Sequence, residues 1–190
     1  MMVVLAQPWV WIVLAAVGWA MGFGVVGSKT LGRSLAFGIA MLLMAEVPRI
    51  ILPLPFVVQP RLGLTALVAI PIGTLILAVG LYFGIPAMRI APLTAPDRRQ
   101  PLRTDGLYSV VRHPLMLCDI LWPLGWSLIL RSVIGVILAV AWIPIIWALT
   151  SVEERRMLEE YGDAYRDFQV RVPRLVPRLN RLGSRGALNR

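Results

Sequence analysis

Hydrophobic residues in this chain fall in long unbroken runs, not in the alternation of half-buried strands or the three-and-four spacing of a surface helix. Residues 8–27 carry no charge. Residues 35–58 are apolar apart from Glu46, Pro48 and Arg49, and residues 63–88 are apolar throughout. A polar break follows, and residues 115–130 and 132–150 form a further pair with only the turn at Arg131-Ser132 between them. About 20 apolar residues cross the hydrocarbon core of a bilayer. The pattern therefore predicts an all-α integral-membrane protein with five transmembrane helices, the fourth a short one, in a single domain over residues 1–190. The first run has no charged n-region and more runs follow it, so it reads as a retained helix and not a signal peptide.

Glycine spacing fits this picture. Gly18-x-x-x-Gly22 and Gly80-x-x-x-Gly84 are close-packing faces for helices in lipid. Gly22-Phe-Gly-Val-Val-Gly27 has the letters of a dinucleotide-binding loop but lacks the preceding strand that such a loop needs. Glu46 and Arg49, three apart, share a helix face inside the second run and can neutralise each other. Asp119 is a lone acid inside the fourth run, and an intramembrane acid is a functional hypothesis by default.

The polar remainder is two segments. The loop 89–114 holds Arg89, Arg98, Arg99, Arg103 and Arg112, and Pro92, Pro96 and Pro101 argue against a continuous helix there. The segment 151–190 has helix composition over 153–171, with Met157, Leu158, Tyr161, Tyr165 and Phe168 marking one apolar face. This predicts a C-terminal amphipathic cytosolic helix, ended by Pro173 and Pro177, and a basic tail beyond it.

Composition adds the orientation. The chain is 58% hydrophobic with mean hydropathy +0.75 and net charge +9. On a soluble chain such charge suggests nucleic acid. Here five spans place every lysine and arginine except Arg49, Arg61 and Arg131 on one side, which the positive-inside tendency makes cytoplasmic. No nucleic-acid partner is expected; the expected contacts are membrane lipids. The amino terminus is then outside and the carboxyl terminus cytoplasmic, in what is expected to be a bacterial inner membrane. One cysteine, Cys118, and one histidine, His113, leave no plausible metal site.

Two clusters carry candidate chemistry. Arg112-His113-Pro114 lies where the loop enters the fourth run. Proline suits the first helical turn, so His113 sits beside a helix start whose unpaired N–H groups favour an anion. Arg112 adds a planar two-pronged donor. The pair can dock a ligand carboxylate, or anchor to lipid headgroups. Glu153-Glu154 follows directly on the fifth run. These acids can balance Arg155 and Arg156, complement a helix dipole, or hold a cationic ligand.

Taken together, the stretches Gly106-Leu-Tyr-Ser-Val-Val-Arg-His-Pro-Leu-Met116, Glu153-Glu-Arg-Arg-Met-Leu-Glu-Glu-Tyr-Gly-Asp-Ala-Tyr165 and Val172-Pro-Arg-Leu-Val-Pro177 resemble the isoprenylcysteine carboxyl methyltransferase family, which is itself similar to phospholipid N-methyltransferases. The resemblance covers residues 100 to 178. It implies an integral-membrane enzyme that uses S-adenosylmethionine, held on the cytosolic side between the loop and the C-terminal helix. It places Gln100, Leu102, Arg103, Tyr108, His113, Pro114, Met116, Glu153 and Glu154 on cofactor-contacting positions, and Arg112, His113 and Glu153 at the reacting groups. Met116 stands where the family often has tyrosine, and Gln100 where it often has histidine. Trp147-Ala-Leu-Thr150 lacks the arginine that holds a substrate carboxylate in the prenylcysteine enzymes. That departure weakens the case for carboxyl methylation and leaves the cofactor positions in place.

The expected function is thus methyl transfer to a lipid or small apolar acceptor entering from the bilayer. Alternatives are an NADPH-dependent membrane reductase of the sterol-reductase kind, and a non-enzymatic basic scaffold on anionic lipid. The topology is directly testable. A reporter fused after Arg190 should be active only in its cytoplasmic form, and periplasmic activity from the same fusion would overturn the five-span orientation.

Overall fold

The computed structural model describes residues 2–27, 35–89 and 101–177. Gln100, Lys29, Arg33, Arg98, Arg99 and the basic tail 179–190 lie outside the described residues. Among those described, the chain is helical and forms no strand. The order is α1 (Met2–Leu5), α2 (Pro8–Gly27), α3 (Leu35–Ile51), α4 (Ala66–Met88), a 3-10 turn (Gly106–Ser109), α5 (Pro114–Ile129), α6 (Val133–Tyr161) and α7 (Asp163–Arg171).

Two helices, α4 and α6, are long and apolar enough to cross a membrane; Pro8–Gly22 and Pro114–Ile129 are shorter apolar helices. Only 22% of the most apolar stretch of α4 is buried inside the protein. Leu67, Leu75 and Tyr82 point outward from it. The core helix of a soluble protein would hide such residues, so this outward face suits lipid.

Two boundaries differ from the pattern-based expectation. The second apolar run does not stay helical to residue 58: α3 stops at Ile51. Beyond it Pro53 and Pro55 cannot donate the hydrogen bonds a continuing helix needs. Conversely, the fifth run does not stop near Thr150. α6 continues unbroken through the Glu153 cluster to Tyr161, because no glycine or proline intervenes and strong helix formers follow Val152. The break comes at Gly162, whose φ of 57° suits glycine, and α7 is a separate nine-residue helix. The expected single amphipathic helix over 153–171 is thus the end of α6 plus α7.

Small residues set the helix pairs. α4 lies along α5, with Gly73 and Gly125 back to back: a Cβ on Gly125 would sit 2.6 Å from the Gly73 carbonyl oxygen and 2.6 Å from Leu77 N. Gly80 faces Leu121 and Gly84 faces Cys118 in the same seam, while Gly18 meets the α3 backbone at Ala45. This is the close-packing use that the glycine spacing predicts.

The loop between α3 and α4 is tied to the α5–α6 turn. Leu62 N donates to Arg131 O at 2.7 Å. Arg61 donates through Nη1 to Pro53 O at 2.7 Å and Leu130 O at 3.2 Å, and through Nη2 to Leu54 O at 2.8 Å. One guanidinium thereby ties carbonyls of the loop after α3 to the Leu130 carbonyl at the end of α5. Ser132 caps α6, accepting from Gly135 N at 2.9 Å. At the other end, Phe83, Val111, Leu117, Trp142, Ile146, Leu149 and Leu175 form one apolar core joining α4, α5, α6 and the segment after α7.

The glycine seam gives a clean stability test. Gly125→Leu must drive α4 from α5 and should cost about 1–3 kcal/mol or more, the range for overpacking. Leu75→Ala, on the outward face, should be nearly silent. Thermal denaturation in detergent separates the two, and equal midpoints would contradict the seam.

Candidate functional site

The site is built where the polar end of α6 meets the start of α5. Pro114 takes the first helical position of α5 and His113 precedes it as N-cap without a side-chain cap bond. The chain after α7 runs alongside this junction: Arg112 N donates to Pro173 O at 2.9 Å, and His113 N to Arg174 O at 3.2 Å. A second apolar cluster of Tyr165, Phe168 and Val172, packed on Leu102, Tyr108 and Met157, seats α7 against the loop before α5. Burial of these side chains is what holds the C-terminal segment in register with the loop.

Glu154 is the hub. It is 3% exposed. Its Oε1 accepts from Arg112 Nε at 2.9 Å and faces His113 Nε2 at 3.1 Å. Its Oε2 accepts from Arg174 Nη2 at 2.6 Å and Gln169 Nε2 at 3.2 Å. Arg112 Nη2 lies 2.8 Å from the same Oε1, and Nη1 donates to Gln169 O and Val172 O, both at 2.8 Å. Arg174 reaches Ser151 Oγ at 3.0 Å and lies over Trp147, 4.6 Å from the ring centre.

Electrostatics follow from this geometry. Burial opposes charge on Glu154, but hydrogen bonds from His113 and Arg174 and the charge of Arg112 overcome it and hold its pKa down at about 2. Burial likewise opposes charge on His113. Glu153 at 3.3 Å from Nδ1 and Glu154 at 3.1 Å from Nε2 outweigh that and raise its pKa. A carboxylate at each ring nitrogen asks both to donate, which only the imidazolium does. Burial and the nearby Glu153 charge raise the Tyr108 hydroxyl. Three cations, Arg112, His113 and Arg174, then face two carboxylates.

Of the residues singled out from sequence, Arg112, His113, Pro114, Glu153 and Glu154 are brought together. Tyr108 and Leu102 are half-buried beside them, under α7. Arg103 is exposed, and close enough to Tyr108 for its charge to act on that hydroxyl. Met116 packs on the main apolar core. Arg174 and Gln169 were not singled out by sequence, although Arg174 stands in the quoted Val172–Pro177 block. Gln169 has no signal beyond its place on α7.

A separate polar cluster lies deeper. Arg49 pairs with Glu46 and, at 2.7 Å, with Asp119 Oδ1. Asp119 Oδ2 accepts from Trp142 Nε1 at 2.6 Å. So Asp119 turns from His113 toward α3 and α6.

An all-helical chain with bilayer-length apolar helices, and a buried charged cluster where their polar ends converge, is an integral-membrane protein with its polar site at one end of the helices. It belongs to the phospholipid methyltransferase family, whose sequence profile matches residues 68–164. The resemblance in the three motif blocks is thereby borne out. The chain is 40% identical over 80 residues to methanethiol S-methyltransferase 2 of Bradyrhizobium diazoefficiens, covering 42% of this chain and 30% of that protein. It is 32% identical over 78 residues to the protein-S-isoprenylcysteine O-methyltransferase of Schizosaccharomyces pombe, covering 40% and 33%. It is 27% identical over 88 residues to protein-S-isoprenylcysteine O-methyltransferase B of Arabidopsis thaliana, covering 44% and 43%. The matched stretches therefore span less than half of these relatives. No solved structure matches the chain.

The charged hub makes pH-dependent stability predictable. Glu154, with its pKa lowered from 4.5 to about 2, contributes stability that is full above pH 4.5 and lost as pH falls toward 2. His113, raised above 6.5, contributes stability that is full below pH 6.5 and lost as pH rises through its folded value. Thermal midpoints in detergent should fall on both sides of that window, and His113→Asn should abolish the alkaline fall. Glu154→Gln should cost about 3–5 kcal/mol, the scale for leaving a buried charge unpaired. An alkaline limb unchanged in His113→Asn would show that His113 is not held as a cation.

Proposed function

We propose that the protein is an S-adenosylmethionine-dependent methyltransferase of the membrane, with five spans, its arginine-rich side cytoplasmic, and its cofactor held between the loop before α5 and the C-terminal segment. The observation that carries this reading is the Glu154 hub, which binds those two segments to each other; Glu154, Arg112 and His113 lie within the stretch that matches the family, and Gln169 and Arg174 beyond it.

The chain's residues fit the cofactor. The excess of cations around Arg112, His113 and Arg174 favours an anionic group nearby, as the cofactor's amino-acid carboxylate is. Glu153, with a side chain 34% exposed, engages His113 through one oxygen and is placed to accept from an ammonium or a ribose hydroxyl. Tyr108, Leu102 and Arg103 line the same loop. When bound, S-adenosylmethionine supplies an electrophilic methyl on a sulfonium. The protein's part is to align the acceptor with it and to exclude water. His113, held charged between two carboxylates, serves as a positioning group and not as a base. Arg112 serves the hub and not the acceptor.

The acceptor is proposed to be small, apolar and protic, reached from the bilayer. The relative that shares 40% of matched positions is named for methanethiol. Arg174 is the arginine nearest Trp147, and both of its terminal nitrogens are engaged by Ser151 and Glu154. Among the described residues, that guanidinium is therefore not left open for a substrate carboxylate.

Calorimetry with S-adenosylhomocysteine in detergent tests the cofactor. Saturable binding is expected, weakened by about 1–3 kcal/mol in Glu153→Gln, the scale for a lost charged hydrogen bond. Binding of NADPH in its place would favour the reductase. Unchanged affinity in folded Glu153→Gln would remove Glu153 from the site.

A further inference from the structure

The Glu154 hub is complete in itself. Its Oε1 takes Arg112 and His113, and its Oε2 takes Arg174 and Gln169. Two tyrosines beside it are left out of this network. Tyr165 on α7 is 3% exposed, and Tyr108, in the 3-10 turn before α5, packs against the same apolar cluster.

The Tyr165 ring is spent on packing. It meets Phe168 edge-on, with ring centres 5.9 Å apart. The hydroxyl is not spent. Among the described residues, neither it nor the Tyr108 hydroxyl makes a hydrogen bond. Trp19 Nε1 is the one sealed polar side-chain atom without a partner among those residues. The Tyr165 hydroxyl, unbonded and yet not sealed, therefore opens onto space that a solvent or ligand atom can enter. A tyrosine buried this deeply normally finds a partner for its hydroxyl. Here the protein supplies none.

Charge locates the two hydroxyls. Burial raises the Tyr165 hydroxyl, the charges of Glu154 and Glu153 add to that, and Arg112 and Arg174 oppose it. Burial and Glu153 raise the Tyr108 hydroxyl, and Arg103 opposes. Both hydroxyls thus lie within the field of Glu153, and both stay neutral at cytoplasmic pH. Glu153 is itself half used. Its Oε2 lies 3.3 Å from His113 Nδ1, and its side chain is 34% exposed. Among the described residues its other oxygen has no partner.

Three groups are therefore left over at one place: a carboxylate oxygen and two neutral phenol hydroxyls. The carboxylate only accepts, while each phenol donates one hydrogen and accepts another. An anionic ligand group would meet the charge of Glu153. An ammonium would suit that oxygen but would sit beside the cations Arg112 and His113. A vicinal diol is neutral, so neither sign of charge opposes it. Each of its hydroxyls gives one hydrogen and takes one, which an acceptor flanked by phenols provides.

We propose that Tyr165, with Tyr108 and the open oxygen of Glu153, binds the ribose diol of the cofactor. Tyr165 has this role only if the methyltransferase reading holds, and of the two partners open to Glu153 it selects the sugar over the ammonium. It also makes α7 part of the binding site and not only its support. The ring seats the helix on the loop, and the hydroxyl reads the sugar.

Tyr165→Phe removes one oxygen and keeps the ring. Calorimetry in detergent with S-adenosylhomocysteine and its 2′-deoxy and 3′-deoxy forms reads the contact. Wild type should bind at least one deoxy form about three- to tenfold more weakly than the parent, the scale of one neutral hydrogen bond. Tyr165→Phe should lose a similar factor toward the parent compound. The two losses should not add, because they remove the two halves of one contact; the variant should bind that deoxy form as wild type does. Its thermal midpoint without ligand should not fall below that of wild type, since the hydroxyl holds nothing within the fold. A lower midpoint, or a variant that fails to fold, shows the hydroxyl bonded inside the protein and overturns the proposal. Unchanged affinity for S-adenosylhomocysteine in the variant, equal binding of all three ligands by wild type, or losses that add also overturn it. Failure of wild type to bind S-adenosylhomocysteine at all overturns the methyltransferase reading itself.

Discussion

A buried carboxylate cannot stay ionised without partners, and Glu154 is the carboxylate on which this structure depends. Taking it out of water is costly. The compensation comes from Arg112 and His113 at the head of α5, Gln169 on α7 and Arg174 beyond α7. These stretches are far apart in sequence, and backbone bonds from Arg112 and His113 to Pro173 and Arg174 join them at the same point. The carboxylate thus fixes where the loop before α5 crosses the C-terminal segment, and the Tyr165–Phe168–Val172 cluster buries what it aligns. The same cluster sets the state of His113. A ring between two carboxylates is a charged donor, which removes it from the bases available to the reaction.

α5 carries both polar centres. At its head the cations outnumber the acids. About a turn and a half deeper, at Asp119, the acids outnumber the single guanidinium of Arg49. The polarity of the surroundings therefore reverses along one helix. An anionic group is favoured at the head of α5, and a neutral or proton-donating one deeper along it. The close glycine seam between α4 and α5 holds this helix rigidly enough for such an arrangement to persist.

Helical class was legible in the sequence, and so were the two helices long and apolar enough to cross a membrane, because an apolar run of bilayer length has few other uses. So were the close-packing glycines, the Glu46–Arg49 pair and the junction at Pro114, each of which rests on spacing within one helix or at its first turn. Helix ends were less legible. The stop at Ile51 depends on prolines that a hydropathy count treats as neutral. The continuation of α6 to Tyr161 is invisible to hydropathy, since a helix can leave the apolar phase without bending.

Local spacing determined the family, the helices and the two polar clusters, because these depend on residues close together in the chain. Only the tertiary structure decided which acids meet which bases. Glu154 and not Glu153 became the buried hub, because the side of α6 that faces α5 and the C-terminal segment is set by packing. Asp119 turned to Arg49 and Trp142 and not to His113 for the same reason. Six residues on a helix is not a whole number of turns, so the direction of a side chain that deep follows from which neighbour α5 leans against.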